Sequence, residues 1–552
     1  MFLSKGLPVL QMRLSHLLLT ACLGGLLFQS TRWYRQRKTS LISDWEDPYY
    51  VGDLSPEEEY LERLIDIHGL TNLTQWQAWR ITSSELSSDV EPMTDVHTNF
   101  QPHPDLLKVI DVHNPNASEL RVVKRMEMPI HSRPTQITLP GSVFLFGVST
   151  SYERIAAKDW AIFRAWKRWL TDGNGASNGA GLVLMLDHAS SEQLDAMDAM
   201  LHEAGIDAYV TSTSEPTSKA RRYYEMVRIL KTYGATLAAS GQPKHWFGIV
   251  EDTIFFPSLA YLRERLSSYN PNNRLYIGIP SERSDWQQDG KSITTYGGGA
   301  VIMSRHVVAL IPKLSCLEMD IPAISYRSQK WDILLKNCVK KGADIDMHVI
   351  PAFYSPHDAN YKPQLESHET GMRPLLLHDY QERHRIDVGM AHLVTDICGE
   401  ACFMHQYLFH DNWAIINGVS ISHHPDGLIH RRHHNHHKQH HAHNKRPVHG
   451  NSVHENENSD EQDTFGNTAK TPVSGQIVIN EDKIQRRPLD WTGRKEVWNL
   501  VDSATVASGS VWQAYLKRGV RAAGPPQPES SMPAAEELDS LIVLIWEKKK
   551  SG

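Results

Sequence analysis

The stretch Trp246-Phe247-Gly248-Ile249-Val250-Glu251-Asp252-Thr253-Ile254-Phe255-Phe256-Pro257 decides how this chain is read. An apolar run ends abruptly in two carboxylates. Unbroken apolar runs are typical of strands covered on both faces. Paired acids at the end of such a strand suit a divalent cation that holds a nucleotide diphosphate, because the cation takes carboxylate oxygens from the protein and phosphate oxygens from the donor. The plainer alternative is an acidic turn running into a helix, whose N-terminus favours negative charge.

Outward from this stretch, short β-rich runs alternate with helical ones. Val143–Val148 precedes a helix at Ala156–Leu170, Leu182–Leu186 one at Ser191–Ala204, Ala208–Thr211 one at Lys219–Tyr233, and Trp246–Val250 one at Ser258–Leu266. The alternation predicts an α/β fold, a mainly parallel sheet with helices on both faces. Ligands of such sheets sit beyond the carboxyl ends of the strands, so the loops after Val148, Leu186, Thr211 and Val250 are the places to look for chemistry. Downstream, Tyr276-Ile277-Gly278 and Glu282 lead to Tyr296-Gly297-Gly298-Gly299-Ala300 and the apolar run Val301–Ser304. Three glycines ahead of a strand let the backbone approach a ligand closely.

Taken in order, these pieces resemble glycosyltransferase family 31, the Fringe-like β-1,3-glycosyltransferases, and especially its fungal membrane-anchored members. The likeness is carried by Phe146-Gly147-Val148-Ser149-Thr150-Ser151-Tyr152-Glu153-Arg154, by the acid stretch, by Tyr276–Gly278 and Tyr296–Ser304, and by Trp331-Asp332 with Cys338. Asp358, Glu366-Ser367, His378, Cys398–Phe403 and Asn417–Ile421 extend it. The resemblance implies a GT-A (Rossmann-like) domain at 142–428, a UDP-sugar donor, a manganese ion or another divalent cation, and inversion at the anomeric carbon. It assigns Asp252 and His378 to the metal, and Arg154, Tyr152, Glu251, Gly297, Gly298 and Gly299 to the donor. Asp332 becomes the general base that takes the acceptor hydroxyl's proton; its plainer role is to cap the helix expected at Asp332–Lys340. Thr253 stands where the family carries a third Asp, and Trp331 where it carries Gly. The first departure motivates a second reading, a catalytically inactive relative that serves as a glycan-binding or scaffold subunit.

Composition bounds the rest. The 552 residues are 40% hydrophobic and 22% charged, enough apolar material for a sizeable core, and the net charge of −7 gives no global basic field that would call for nucleic acid. Leu14–Phe28 is almost uncharged and flanked by Arg13 and Arg32. Read as a signal anchor it divides the chain into a tail at 1–13, a single span at 14–28 and a stem at 29–141; a cleaved signal peptide is the competing reading. The cluster Arg32, Arg35, Arg37 and Lys38 would by itself place the following chain in the cytoplasm, whereas sequons at Asn72 and Asn116 matter only in the secretory lumen. The expectation is a Golgi membrane protein with a luminal body, acting on a glycan or glycoprotein acceptor. In that compartment Cys316, Cys338, Cys398 and Cys402 are disulfide candidates, Cys316 with Cys338 and Cys398 with Cys402 being plausible bridges, although spacing leaves three pairings open. The His-rich tract at 433–443 and the acidic stretch after it read as a disordered insertion at 429–476, with metal capture as the alternative. A C-terminal extension at 477–552, packing on the catalytic domain, ends in Asp539–Trp546, a buried strand.

Overall fold

The structure, a computed structural model, describes residues 55–86, 93–98, 100, 102, 108–121, 123–131, 139–279, 297–317, 330–350, 369, 373–378, 386–428, 476–478, 489, 491–520 and 538–548. The chain enters through helix α1 (Pro56–His68), then strands β1 (Leu73–Leu86), β2 (Met93–Val96), β3 (Lys108–Asp111) and β4 (Val123–His131). Next come β5 (Phe144–Thr150), α2 (Tyr152–Leu170), β6 (Gly181–Leu186), α3 (Ser191–Glu203), β7 (Asp207–Ser212), α4 (Lys219–Ala239), β8 (Trp246–Val250), β9 (Ile254–Phe255) and α5 (Leu259–Leu266). They are followed by β10 (Tyr276–Ile279), β11 (Gly297–Ser304), α6 (Arg305–Leu310), α7 (Trp331–Ala343), β12 (Met347–Val349) and β13 (Leu377–His378). Seven strands finish the fold: β14 (Gln406–Phe409), β15 (Trp413–Ile416), β16 (Ser420–His423), β17 (Gln476–Val478), β18 (Glu496–Thr505), β19 (Val511–Lys517) and β20 (Asp539–Trp546).

Eight strands form a central sheet in the order β17-β12-β10-β11-β8-β5-β6-β7. Neighbours in it run parallel except β11, which is antiparallel to both β8 and β10. The α/β expectation holds, because the period-2 geometry of each strand sends apolar side chains to both faces. On β5, Phe144, Phe146 and Val148 enter one core, and Leu145 enters another beneath α4 with Tyr223, Val227 and Leu230. From β5 the order runs outward through β6 to β7, then returns to place β8 on the opposite side of β5. That reversal is a topological switch point between the carboxyl ends of β5 and β8, the place where sheets of this kind take ligands.

A second sheet of ten strands contains β2-β14-β15-β16-β18-β19-β20-β1-β3, with β4 paired to β1. Here the reading of 29–141 as a stem is corrected. Residues 73–86, 93–96, 108–111 and 123–131 are strands of this sheet, and β1 lies parallel to β20, with Thr74 opposite Asp539 and Ile81 opposite Trp546. Leu541, Val543 and Ile545 pack with Trp76, Ala78 and the α1 residues Tyr60, Leu61 and Leu64. The alternate residues Ile542, Leu544 and Trp546 join the core that also holds Phe146 and Trp169, so one continuous core connects the two sheets. No helix among the described residues is long and apolar enough to cross a membrane. The span expected at 14–28 lies outside the described residues, as do the His-rich tract, Asp358, Glu282 and Glu366-Ser367.

Candidate functional site

Charged side chains gather at the switch point. β8 ends at Val250 because Glu251 and Asp252 enter a turn closed by the Ile254 amide donating to the Glu251 carbonyl at 3.1 Å. The chain then re-extends as β9, which pairs antiparallel with β13 and sets His378 opposite Ile254. That two-stranded ribbon brings a residue more than a hundred positions away beside the acids. His378 Nε2 lies 3.6 Å from Glu251 Oε2.

Glu251 Oε1 accepts Lys219 Nζ at 2.7 Å and the Trp331 indole N–H at 2.9 Å. Burial alone would raise the pKa of this carboxyl group, but the hydrogen bond with His378 and the Lys219 ammonium hold it well below the ordinary carboxylate range. Trp331, the first residue of α7, is buried and stacks on Tyr223 with ring centroids 4.5 Å apart. The Tyr223 hydroxyl in turn donates to the Val250 carbonyl at 3.0 Å. Where the resemblance led us to expect glycine, this indole closes the site's floor and steadies Glu251.

Asp252 faces a different partner. Its Oδ2 accepts the Thr150 hydroxyl and Arg154 Nε, both at 2.5 Å, and its Oδ1 accepts Arg154 Nη2 at 3.1 Å. The fork is bidentate, the geometry for which guanidinium and carboxylate are matched. Its parts come from both strands at the switch point: Thr150 ends β5, Arg154 lies in the first turn of α2, and Asp252 follows β8. Asp252 is nearly buried, with 6% of its side chain exposed against 57% for Arg154. Thr253 is buried as well. Tyr152 stands at the start of α2, edge-on to Trp160 at 5.7 Å.

A third ion pair completes the edge. Arg222 Nη1 reaches Asp187 Oδ2 at 2.7 Å, and its Nε donates to Ser149 Oγ at 2.9 Å. The sequence reading missed Lys219, Arg222, Tyr223, Thr150 and Asp187. A signal for the first two was available: Lys219, Arg221 and Arg222 crowd the start of α4, whose first turn holds no acid. Cations there oppose the helix macrodipole, so acids or an anionic ligand must offset them.

Gly299 has a left-handed φ of +86°, and a Cβ there would lie 2.6 Å from His378 Nε2. Its carbonyl accepts the Glu251 amide at 2.8 Å. Close approach is therefore a real requirement, and the group approached is the His378 ring. Gly297 and Gly298 begin β11 beside it.

Asp332 is the second residue of α7, not its cap, since Lys330 holds the cap position. Its Oδ1 accepts the Ile333 amide at 2.9 Å. Burial, reinforced by the nearby Glu251 charge, raises its pKa in spite of that hydrogen bond. The Cys316–Cys338 disulfide ties α7 to the segment after α6, and a second disulfide joins Cys398 to Cys402. The Asn417 amide donates to the Cys402 carbonyl at 3.0 Å, which links two of the stretches that carried the resemblance. Asn72 and Asn116 are both exposed.

The donor set does not fit the metal site that the resemblance implied. A hard dication needs several convergent oxygen ligands. Here Asp252 is engaged by a guanidinium and a hydroxyl, and it is Glu251 that stands beside His378. Among the described residues, no group of three or more His, Cys, Asp or Glu is placed to hold a metal ion.

No protein-family model matches the chain, and no curated protein matches its sequence. Among solved structures, it overlaps a glycosyltransferase involved in glycosylation of the major capsid of PBCV-1 at 10% identity, covering 43% of this chain and 92% of that one, TM-score 0.23. It overlaps the glycosyltransferase GlyE of Streptococcus pneumoniae TIGR4 at 12% identity, covering 43% and 53%, TM-score 0.27. Mouse xyloside xylosyltransferase 1 gives 11% identity, covering 44% and 98%, TM-score 0.24. TM-scores this low do not assign a fold.

Proposed function

We propose that this chain is an inverting glycosyltransferase, transferring a sugar from a UDP-sugar to a glycan or glycoprotein hydroxyl with a β-1,3-type linkage. The observation that carries the reading is a meeting of side chains at the strand-order reversal, where such sheets take their ligands: Asp252, after β8, joins Thr150 at the end of β5 and Arg154 in α2. The motif order resembling glycosyltransferase family 31 supplies the donor class.

In this reading Asp332 takes the proton of the acceptor hydroxyl as its oxygen attacks the anomeric carbon. The bond from that carbon to the UDP oxygen breaks, and the diphosphate leaves with the bonding pair. Burial favours the step, since a carboxylate whose pKa is raised toward the working pH is a stronger base. Tyr152 and the backbone of Gly297–Gly299 border the donor cleft in the same reading. The two buried disulfides and the two exposed sequons favour an oxidising lumen, the Golgi being the proposed compartment, with 14–28 as membrane anchor.

The test is a screen of common UDP-sugars for UDP release by the purified chain, with and without candidate acceptors. Release that depends on one donor and on Asp332 supports the reading; no release and no UDP binding would sink it. One observation favours the second reading, a silent glycan-binding or scaffold subunit: both acids already carry protein partners. UDP binding without turnover on any acceptor is its signature.

A further inference from the structure

Three consecutive residues of α2, Lys158, Asp159 and Trp160, hold left-handed backbone, with φ of 51°, 53° and 57°. A side chain with a Cβ resists that region, a bulky one most of all, and a run of three is rarer than a single residue. The helix therefore breaks after Ala156 and resumes at Ala161. Strain of this kind persists only where the surroundings over-determine it, and it clusters at ligand sites. We propose that the break builds a stacking platform for the sugar ring of the acceptor, formed by the Trp160 indole with Tyr152 at its edge; this rests on the sugar-transfer reading above.

The geometry of the break carries the inference. In an unbroken helix, residue 160 would stand about 12 Å further along the axis than residue 152. Here the two rings meet edge to face, with centroids 5.7 Å apart and planes at 86°. The break thus folds the indole back to the start of α2, where Ser151 caps the helix straight after β5 and Arg154 reaches Asp252. Arg164 fastens the turn. Its Nη1 donates to the Asp159 carboxylate at 3.0 Å and also to the Asp159 carbonyl, while its Nη2 donates to Asp387 at 2.5 Å. Phe163 meets the indole edge-on at 6.4 Å, and the indole packs partly on the core while staying partly exposed.

The chemistry of this corner suits a pyranose. Such a ring has an apolar C–H face rimmed by hydroxyls. The indole offers a flat apolar surface beside the exposed, polar Lys158 and Asp159. Tyr and Trp are rigid, so ordering them around a ligand costs little entropy. The donor, in the reading above, is held by the first turn of α2, the acids and the glycine strand. Trp160 lies past the break, outside that set, which leaves it to the second sugar.

The experiment titrates the purified chain, with UDP present, with the methyl β-glycosides of galactose, glucose and N-acetylglucosamine, read by saturation-transfer NMR. The same glycosides serve as acceptors in the UDP-release assay. For at least one glycoside, Trp160→Ala is expected to weaken binding, or raise the acceptor KM, tenfold or more, with UDP affinity by calorimetry unchanged. Trp160→Phe should keep most of the affinity, and circular dichroism checks the fold of each variant. Lys158→Gly, which suits the left-handed backbone, should melt higher and bind glycoside as the parent does. Weaker UDP binding in Trp160→Ala with glycoside binding unchanged would assign the indole to the nucleobase and overturn the inference. Glycoside and UDP binding both unchanged would make it a packing residue, overturning the inference while the sugar-transfer reading stands. No UDP binding by the parent overturns that reading, and the inference with it.

Discussion

The central sheet takes seven of its eight strands from one stretch, 144–349, whereas the ten-stranded sheet draws β1–β4 from before that stretch and β14–β16 and β18–β20 from after it. The first presents a row of ion pairs at its carboxyl edge; in the second, β19 and β20 are buried along most of their length and β1 along half of its own. Local βα alternation builds a sheet whose strand ends converge on one rim, and such a rim can carry chemistry. Long-range pairing instead closes the two ends of the chain around that body and leaves its middle strands no open edge. The difference suggests that the site depends on side-chain charge and the framework on β20, and the two can be attacked separately.

The largest effect should come from the framework. Ending the chain at residue 537 removes β20, whose Leu541–Trp546 side chains are all but fully buried between β1 and β19. Six such side chains are worth on the order of 10 kcal/mol, comparable with the whole stability of a typical domain. The truncated chain is expected to be insoluble or to lack a cooperative melting transition by circular dichroism. A soluble truncation that still melts cooperatively would show that the central sheet stands alone.

Second is an effect on the site with no cost to the framework. Asp332→Asn keeps the hydrogen bond from Ile333 and removes a charge that burial disfavours. Because a raised carboxyl pKa means the ionised form costs folded-state stability above the unfolded value, near 4, the variant should melt no lower than the parent at pH 7. UDP release should nevertheless fall about 10²–10⁴-fold, the range for loss of a general base. A fall in melting temperature with turnover unchanged would assign Asp332 to the framework.

The two sheets were unequally visible in sequence for physical reasons. Period and punctuation are local, so β5, β6, β7, β8 and their helices could be read within a few residues, and Asp539–Trp546 was recognisable as a buried strand from its unbroken apolar run. Its partner was not: Thr74 and Asp539 meet 465 positions apart, and nothing local announces a parallel pairing of that span. Residues 73–86, 93–96, 108–111 and 123–131 therefore read as a stem. In the site, the acid pair was visible as two charges ending an apolar run, but which acid faces His378 depends on the turn from Glu251 to Ile254 and on the β9–β13 ribbon. Lys219 and Arg222 were hidden as ordinary surface cations on a helix, except for their unfavourable position in its first turn.

Third, Arg154→Met tests the rim as an electrostatic unit. It leaves Asp252 nearly buried with only the Thr150 hydroxyl of its present donors. Breaking wholly buried pairs costs about 3–5 kcal/mol; half-exposure of Arg154 lowers the expectation to roughly 2–3 kcal/mol. Adding Asp252→Asn should recover most of that loss in chemical denaturation, without restoring UDP binding. Recovery of neither would mean that Arg154 acts through packing on α2.

The smallest effect probes the seam between the sheets. His392 lies buried in the segment after Asp387, its Nε2 3.0 Å from the Pro257 carbonyl and its Nδ1 accepting Arg168 Nε at 3.4 Å. A carbonyl only accepts, so the ring is neutral with its proton on Nε2, and a second proton would have to enter where Arg168 donates. Burial, with the Arg168 charge beside it, pushes the His392 pKa down to about 3. In the unfolded chain it returns to about 6.5. The unfolded state therefore binds more protons below pH 6.5, and stability falls as pH falls, by about 2 kcal/mol at pH 5 from this group. His424, also buried and pushed down to about 3, adds a loss of the same sign. Denaturant midpoints measured between pH 7 and 5 should decline, and in His392→Asn the decline should flatten by about 1.4 kcal/mol per pH unit below 6. A variant with an undiminished slope would place the acid-sensitive group elsewhere, and would leave the seam as insensitive to protons as the buried strands of the ten-stranded sheet.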